Sequence, residues 1–88
     1  MTMTRHAAQR LQQRGFTQTT VDLILQFGIE YHRPGGAVEY LFTGKSATEL
    51  ERERREFKNM ISKLRGRAIL FYDGELRTVY YRSKKLKN

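Results

Sequence analysis

The sequence predicts an α+β fold, two helices packed on a four-stranded antiparallel sheet in the order ααββαββ, with a long charged helix inserted between two hairpins. Three observations predict it. Apolar residues recur at helical spacing up to Gly28, the period then falls to two around Arg33-Pro34-Gly35-Gly36, and Asp73-Gly74 separates two β-rich runs near the end. With 88 residues there is room for one modest core. A single domain is expected over 1–82, followed by a basic tail over 83–88.

The first helix is predicted from about Met3 to Arg14, with Thr2 or Thr4 as hydroxyl cap and Gly15 ending it in a left-handed conformation. Met3, Ala7 and Leu11 form its apolar stripe. His6, Arg10 and Arg14 stack four apart on the shoulder of that stripe, where partly sheltered charge acts strongly on an anion such as phosphate. Structurally, the same arginines would be satisfied by ion pairs to Glu30, Glu39 or Glu75. A second helix is capped by Thr17, buries Val21, Ile24 and Leu25, and stops at Gly28.

Ile29 and Tyr31, then Val38, Tyr40 and Phe42, alternate with their neighbours to give the first hairpin. Ser46-Ala47-Thr48-Glu49 reads as a capping box that starts a surface helix running to about Leu64. Glu51 with Arg55, and Arg52 with Glu56, are four-spaced ion pairs along it. Asp73-Gly74 predicts a type I′ turn, which sets Phe71 opposite Leu76, Leu70 opposite Arg77, Ile69 opposite Thr78 and Ala68 opposite Val79. Both faces of that hairpin then carry large apolar groups, so the second face is expected to meet a ligand, a partner or the long helix.

Seventeen Lys and Arg against nine Asp and Glu give a net charge of +8, the footprint of a polyanion binder. Without cysteine there is neither a disulfide framework nor a thiolate metal site, and two histidines 26 residues apart make a poor metal constellation. No metal and no cofactor is expected. No apolar run is long enough to span a membrane, so the expected place is the cytoplasm. A phosphate loop and a serine-nucleophile elbow are both missing.

The pattern His6-x-x-x-Arg10-x-x-x-Arg14-Gly15, an amphipathic helix, a hairpin and the strand Leu76-Arg77-Thr78-Val79-Tyr80-Tyr81 resemble the small bacterial domain of unknown function four-two-five-eight. That family is grouped with RelE-like toxins and the barnase, EndoU, colicin and RelE ribonucleases. The resemblance covers His6 to Gly28 and Arg67 to Arg82, about half the chain. It implies a RelE-like domain in which His6, Arg10 and Arg14, with Thr78 and Tyr80, flank a sheet surface that receives RNA. The long helix over 47–64 departs from that pattern, and would cover the groove, bind an antitoxin or form a homodimer.

Metal-free RNA cleavage needs a base for the ribose 2′-hydroxyl, an acid for the leaving oxygen, and cations for the phosphate. The expected catalytic set is His6, Arg14, Arg77 and Tyr80. Arg10, Thr78, Tyr81, Arg82, Lys84 and Lys85 are expected to bind nucleic acid, with Tyr81 stacking on a base. The function expected is a metal-independent endoribonuclease toxin held by an acidic antitoxin or inhibitor. Two alternatives stand beside it: a non-catalytic nucleic-acid-binding or regulatory module, and an interaction module that dimerises through 47–64.

Overall fold

The computed structural model describes residues 2–82; the tail with Lys84 and Lys85 lies outside the described residues. The class is α+β, and the sheet has five strands rather than four. The additional strand, β1 (Thr2–Met3), pairs parallel to the last one, so the sheet is mixed. Two residues carry too little alternation to be read as a strand. The helix expected from Met3 therefore starts later, as α1 (Arg5–Gln13). Its cap, Thr4, accepts the Ala7 N–H at 3.1 Å, and its own N–H donates to the Leu76 carbonyl at 3.0 Å. One residue thus closes the helix start, worth about 1 kcal/mol, and fastens it to the sheet.

Gly15 (φ +70°) ends α1 as expected, and Thr17 caps α2 (Gln18–Phe27). The first hairpin is β2 (Ile29–His32) and β3 (Val38–Leu41), in register from Ile29 opposite Leu41 to His32 opposite Val38. The strands β4 (Arg67–Tyr72) and β5 (Glu75–Tyr81) follow a turn in which Asp73 (φ 54°) and Gly74 (φ 75°) both take the positive φ of a type I′ turn. The sheet order is β1-β5-β4-β3-β2.

The long helix is broken. Thr43, not Ser46, is the cap of α3 (Gly44–Glu53), and Ser46 is the third residue of a reciprocal capping box with it. At Arg54 (φ −137°, ψ 82°) the backbone leaves the helix, passes through a 3₁₀ turn over Arg55–Phe57 and resumes as α4 (Lys58–Leu64). A continuous helix over 44–64 would be about 32 Å long, nearly the 33 Å long axis of the molecule. Breaking it lets Leu50, before the break, and Leu64, after it, both sink into one core. The expected Glu51–Arg55 and Arg52–Glu56 ion pairs straddle the break, and among the described residues neither forms.

The expected register of the second hairpin holds only near its turn. Phe71 faces Leu76, but Leu70 faces Thr78, Ile69 faces Val79 and Ala68 faces Tyr80, so Arg77 is the extra residue of a β-bulge. Its cause lies in the burial pattern. Leu76 and Val79 are three apart, and strict alternation would send them to opposite faces; the bulge turns both into the core, where each is fully buried.

Paired residues share a face, so the sheet sorts into rows. Glu30, Tyr40, Ile69 and Val79 form one row, and Val38, Phe71 and Leu76 belong to the same face. That face meets Ala7, Phe16, Ile24, Phe27, Leu50 and Leu64 in the hydrophobic core. The opposite face carries the rows Tyr31, Glu39, Leu70, Thr78 and Ile29, Leu41, Ala68, Tyr80. No member of these rows belongs to the core that unites the helices with the sheet. The helices lie on one side, and the broken helix does not cover the second face.

Candidate nucleic-acid interface

The second face is organised around one carboxylate. Glu39 is 2% exposed, on a face it shares with the buried Leu41 and Ala68. A buried charge must be paired and hydrogen-bonded. Arg33, from the turn before β3, donates through Nη2 to Glu39 Oε1 at 2.7 Å, and Arg82, just after β5, donates through Nη1 to the same oxygen at 3.1 Å. The Tyr80 hydroxyl donates to Oε2. Burial, then this bond and the Glu39 charge, hold the Tyr80 hydroxyl protonated far above its ordinary range.

The same two guanidinium groups stack on an aromatic ring. Arg33 Cζ lies 5.6 Å and Arg82 Cζ 5.1 Å from the centroid of Tyr31. Towards the other end of the face, Arg77 Cζ lies 5.2 Å from the centroid of Tyr72, and its guanidinium reaches Glu75 Oε1 at 3.4 Å. The bulge places Arg77 here. Among the described residues the exposed large apolar side chains are Tyr31, Tyr72 and Tyr81, and each has an arginine on its ring. Arginine so held has already lost much of its freedom, and offers its remaining donors to phosphate in a fixed plane.

The expected site residues fall into two groups. Arg77, Thr78, Tyr80 and Arg82 gather on the second face. His6, Arg10 and Arg14 are on α1, whose Ala7 is in the core on the helix side. Of these three only Arg10 is partly sheltered; His6 and Arg14 are exposed. Arg10 Nε donates to His6 Nε2 at 3.4 Å. Among the described residues no hydrogen bond or ion pair joins this row to Thr78, Tyr80 or Arg82, and neither helix arginine pairs with Glu30, Glu39 or Glu75. Tyr81 belongs to neither group. It pairs with Arg67 across the sheet, and Arg67 sits between the rings of Tyr81 (5.4 Å) and Phe16 (4.6 Å) while donating to the carbonyls of Lys63 and Gly15. That set fastens the α1–α2 turn to the end of α4.

Glu39, Tyr31 and Arg33 are the residues that sequence reasoning left out of the site. One signal was present: Glu39 alternates in phase with Leu41, so a carboxylate shares a side with a large apolar group and needs a cation there. The partners themselves come from positions 6 and 43 residues away.

Among the described residues no group of His, Cys, Asp and Glu is arranged to hold a metal ion, and no helix is long and apolar enough to cross a membrane. No family model matches the chain, and no curated protein or solved structure matches it.

Proposed function

We propose that the chain is a small basic RNA-binding protein, and that single-stranded RNA lies along the second face of the sheet between Tyr31 and Tyr72. The observation that carries this reading is the coupling of exposed tyrosine rings to arginines on a sheet face without helices, in a chain of net charge +8. Base stacking on an aromatic ring contributes about 1–3 kcal/mol per base, and the arginines beside each ring supply the phosphate contacts. Glu39 and Tyr80 hold Arg33 and Arg82 in place, so Tyr80 positions cations and does not give up a proton. Titrating a labelled single-stranded RNA in chelator tests this by fluorescence anisotropy. Affinity is expected to fall with rising salt and with Tyr72→Ala or Arg77→Ala; affinity indifferent to both variants would remove the face from the reading.

A second reading, a metal-independent endoribonuclease of the RelE-like kind held by an acidic antitoxin, is favoured by the His6–Arg10 contact. Arg10 Nε lies 3.4 Å from His6 Nε2, so an imidazole nitrogen that could serve as base stands beside a guanidinium that could hold the phosphate. A substrate phosphate that draws Arg10 onto itself frees Nε2 to take the ribose 2′-proton; the 2′-oxygen then attacks phosphorus to close a 2′,3′-cyclic phosphate, and the 5′-oxygen leaves with a proton from water. In this reading Arg14, one turn further on, holds the same phosphate. Incubation with total RNA in chelator, beside His6→Ala, separates the readings on a denaturing gel: fragments that His6→Ala abolishes establish cleavage, and intact RNA leaves binding alone.

A further inference from the structure

The break in the long helix does more than let its ends reach the core. Glu51 and Arg55, and Arg52 and Glu56, would pair on a continuous helix, and the break at Arg54 separates both pairs. Beyond it, the chain continues as a 3₁₀ turn over Arg55–Phe57. Side chains three apart eclipse one another in that geometry, where on an α-helix they spiral away. Arg55 and Lys58 stand three apart across that turn, and with Arg52, Thr48 and Glu51 from before the break they line an open surface pocket of about 380 Å³, all five side chains exposed.

Three cations and one carboxylate leave this pocket with two positive charges in excess. Among the described residues none of the three cations has an ion-pair partner. Like charges drawn together repel, and an entering anion relieves that repulsion. The volume is more than one phosphate fills. Chemistry on the remaining wall differs in kind. The Thr48 hydroxyl already donates to the Gly44 carbonyl at 3.2 Å and so offers only lone pairs, and the Glu51 carboxylate also only accepts. A ligand that satisfies both walls carries a phosphate and, beside it, hydroxyl or amino donors.

The geometry points to this pocket as the site of a phosphate monoester that carries hydroxyls beside the phosphate, its phosphate on Arg52, Arg55 and Lys58 and its hydroxyls on Glu51 and Thr48, and AMP is the probe of that class. The site is built from α3, the turn after it and the first residue of α4, in the helix layer, and does not rest on the RNA-binding reading of the sheet face.

Isothermal titration of the full chain with AMP, and separately with inorganic phosphate, tests the assignment. AMP is expected to bind saturably at one site, and Arg52→Ala and Arg55→Ala are each expected to weaken it at least tenfold while leaving the circular dichroism spectrum unchanged. Glu51→Gln should weaken AMP and spare inorganic phosphate, because only the nucleotide reaches the acceptor wall. Tyr72→Ala, on the other face, should spare both. Absence of saturable binding overturns the assignment, as does AMP binding that survives the Arg52→Ala, Arg55→Ala double variant or is lost in Tyr72→Ala. A 5′-phosphorylated oligoribonucleotide that displaces AMP, where its 5′-hydroxyl counterpart does not, makes the end of an RNA the source of the phosphate; failure of both to displace AMP makes it a free phosphate monoester.

Discussion

Replacing Glu39 by alanine removes the one acceptor around which the second sheet face is arranged. The carboxylate is 2% exposed and takes three hydrogen bonds, from Arg33 at 2.7 Å, from Arg82 at 3.1 Å and from Tyr80. A hydrogen bond to a charged group contributes about 1.5–3 kcal/mol, so three of them bound the loss at roughly 4.5–9 kcal/mol. The loss is smaller than that bound because Arg33 and Arg82 keep 37% and 31% of their side-chain surface in water and rehydrate. Alanine is therefore expected to cost about 3 kcal/mol, the lower end for removing one partner of a buried ion pair. At about 4–8 °C per kcal/mol for a domain of this size, the midpoint of thermal unfolding falls by roughly 12–24 °C. Urea unfolding followed by circular dichroism reads the free energy directly, and a cycle with Tyr80→Phe reads the coupling. A loss below about 1 kcal/mol, or single losses that simply add, would refute the clamp, since neighbours in one network do not add.

Tyr80→Phe alone is expected to cost about 1–2 kcal/mol near neutral pH, and it also changes the alkaline limb. The folded hydroxyl titrates above the unfolded one, so its contribution is complete below the ordinary tyrosine value of 10.0 and is lost as the pH climbs towards the raised folded value. A stability profile through that window should lose part of its downward slope in the phenylalanine variant. Tyr72→Ala is expected to weaken single-stranded RNA about fivefold or more without moving the unfolding midpoint, both measurable on one preparation. Gly74→Ala forces a Cβ into a φ of +75° and should destabilise by about 1–2 kcal/mol; an unchanged urea midpoint would count against the type I′ turn. Thr43→Ala removes one half of the capping box and should cost about 1 kcal/mol, whereas Ser46 as the helix start would make that substitution silent.

The elements that carry their own punctuation were legible in the sequence. Thr17 and Gly28 bound α2, Gly15 ends α1, and Asp73-Gly74 makes the last turn, each through local chemistry that needs no tertiary partner. The errors share the opposite property. β1 exists only because Glu75 and Leu76 lie beside Thr2 and Met3; the break at Arg54 carries neither Gly nor Pro and answers to the position of the core; the bulge at Arg77 answers to the burial of both Leu76 and Val79. The site divides likewise. Arg77, Thr78, Tyr80 and Arg82 could be read together because one strand and the residue after it hold them. Glu39 joins them only when β3 is set against β4, and β4 against β5.

The pairing of β1 with β5 also bears on when the molecule can exist. Thr4 and Leu76, 72 residues apart, are held together by the hydrogen bonds that seat α1. Loops of that length close slowly, and nothing repays their entropy until the last strand is in place. A ribosome must therefore release β5 before α1 has its seat. Until then the apolar stripe of Met3, Ala7 and Leu11 waits on a nascent chain, exposed to whatever binds unfinished helices. A truncated product lacking β5 should be a substrate for proteases and chaperones, not a smaller version of the same protein.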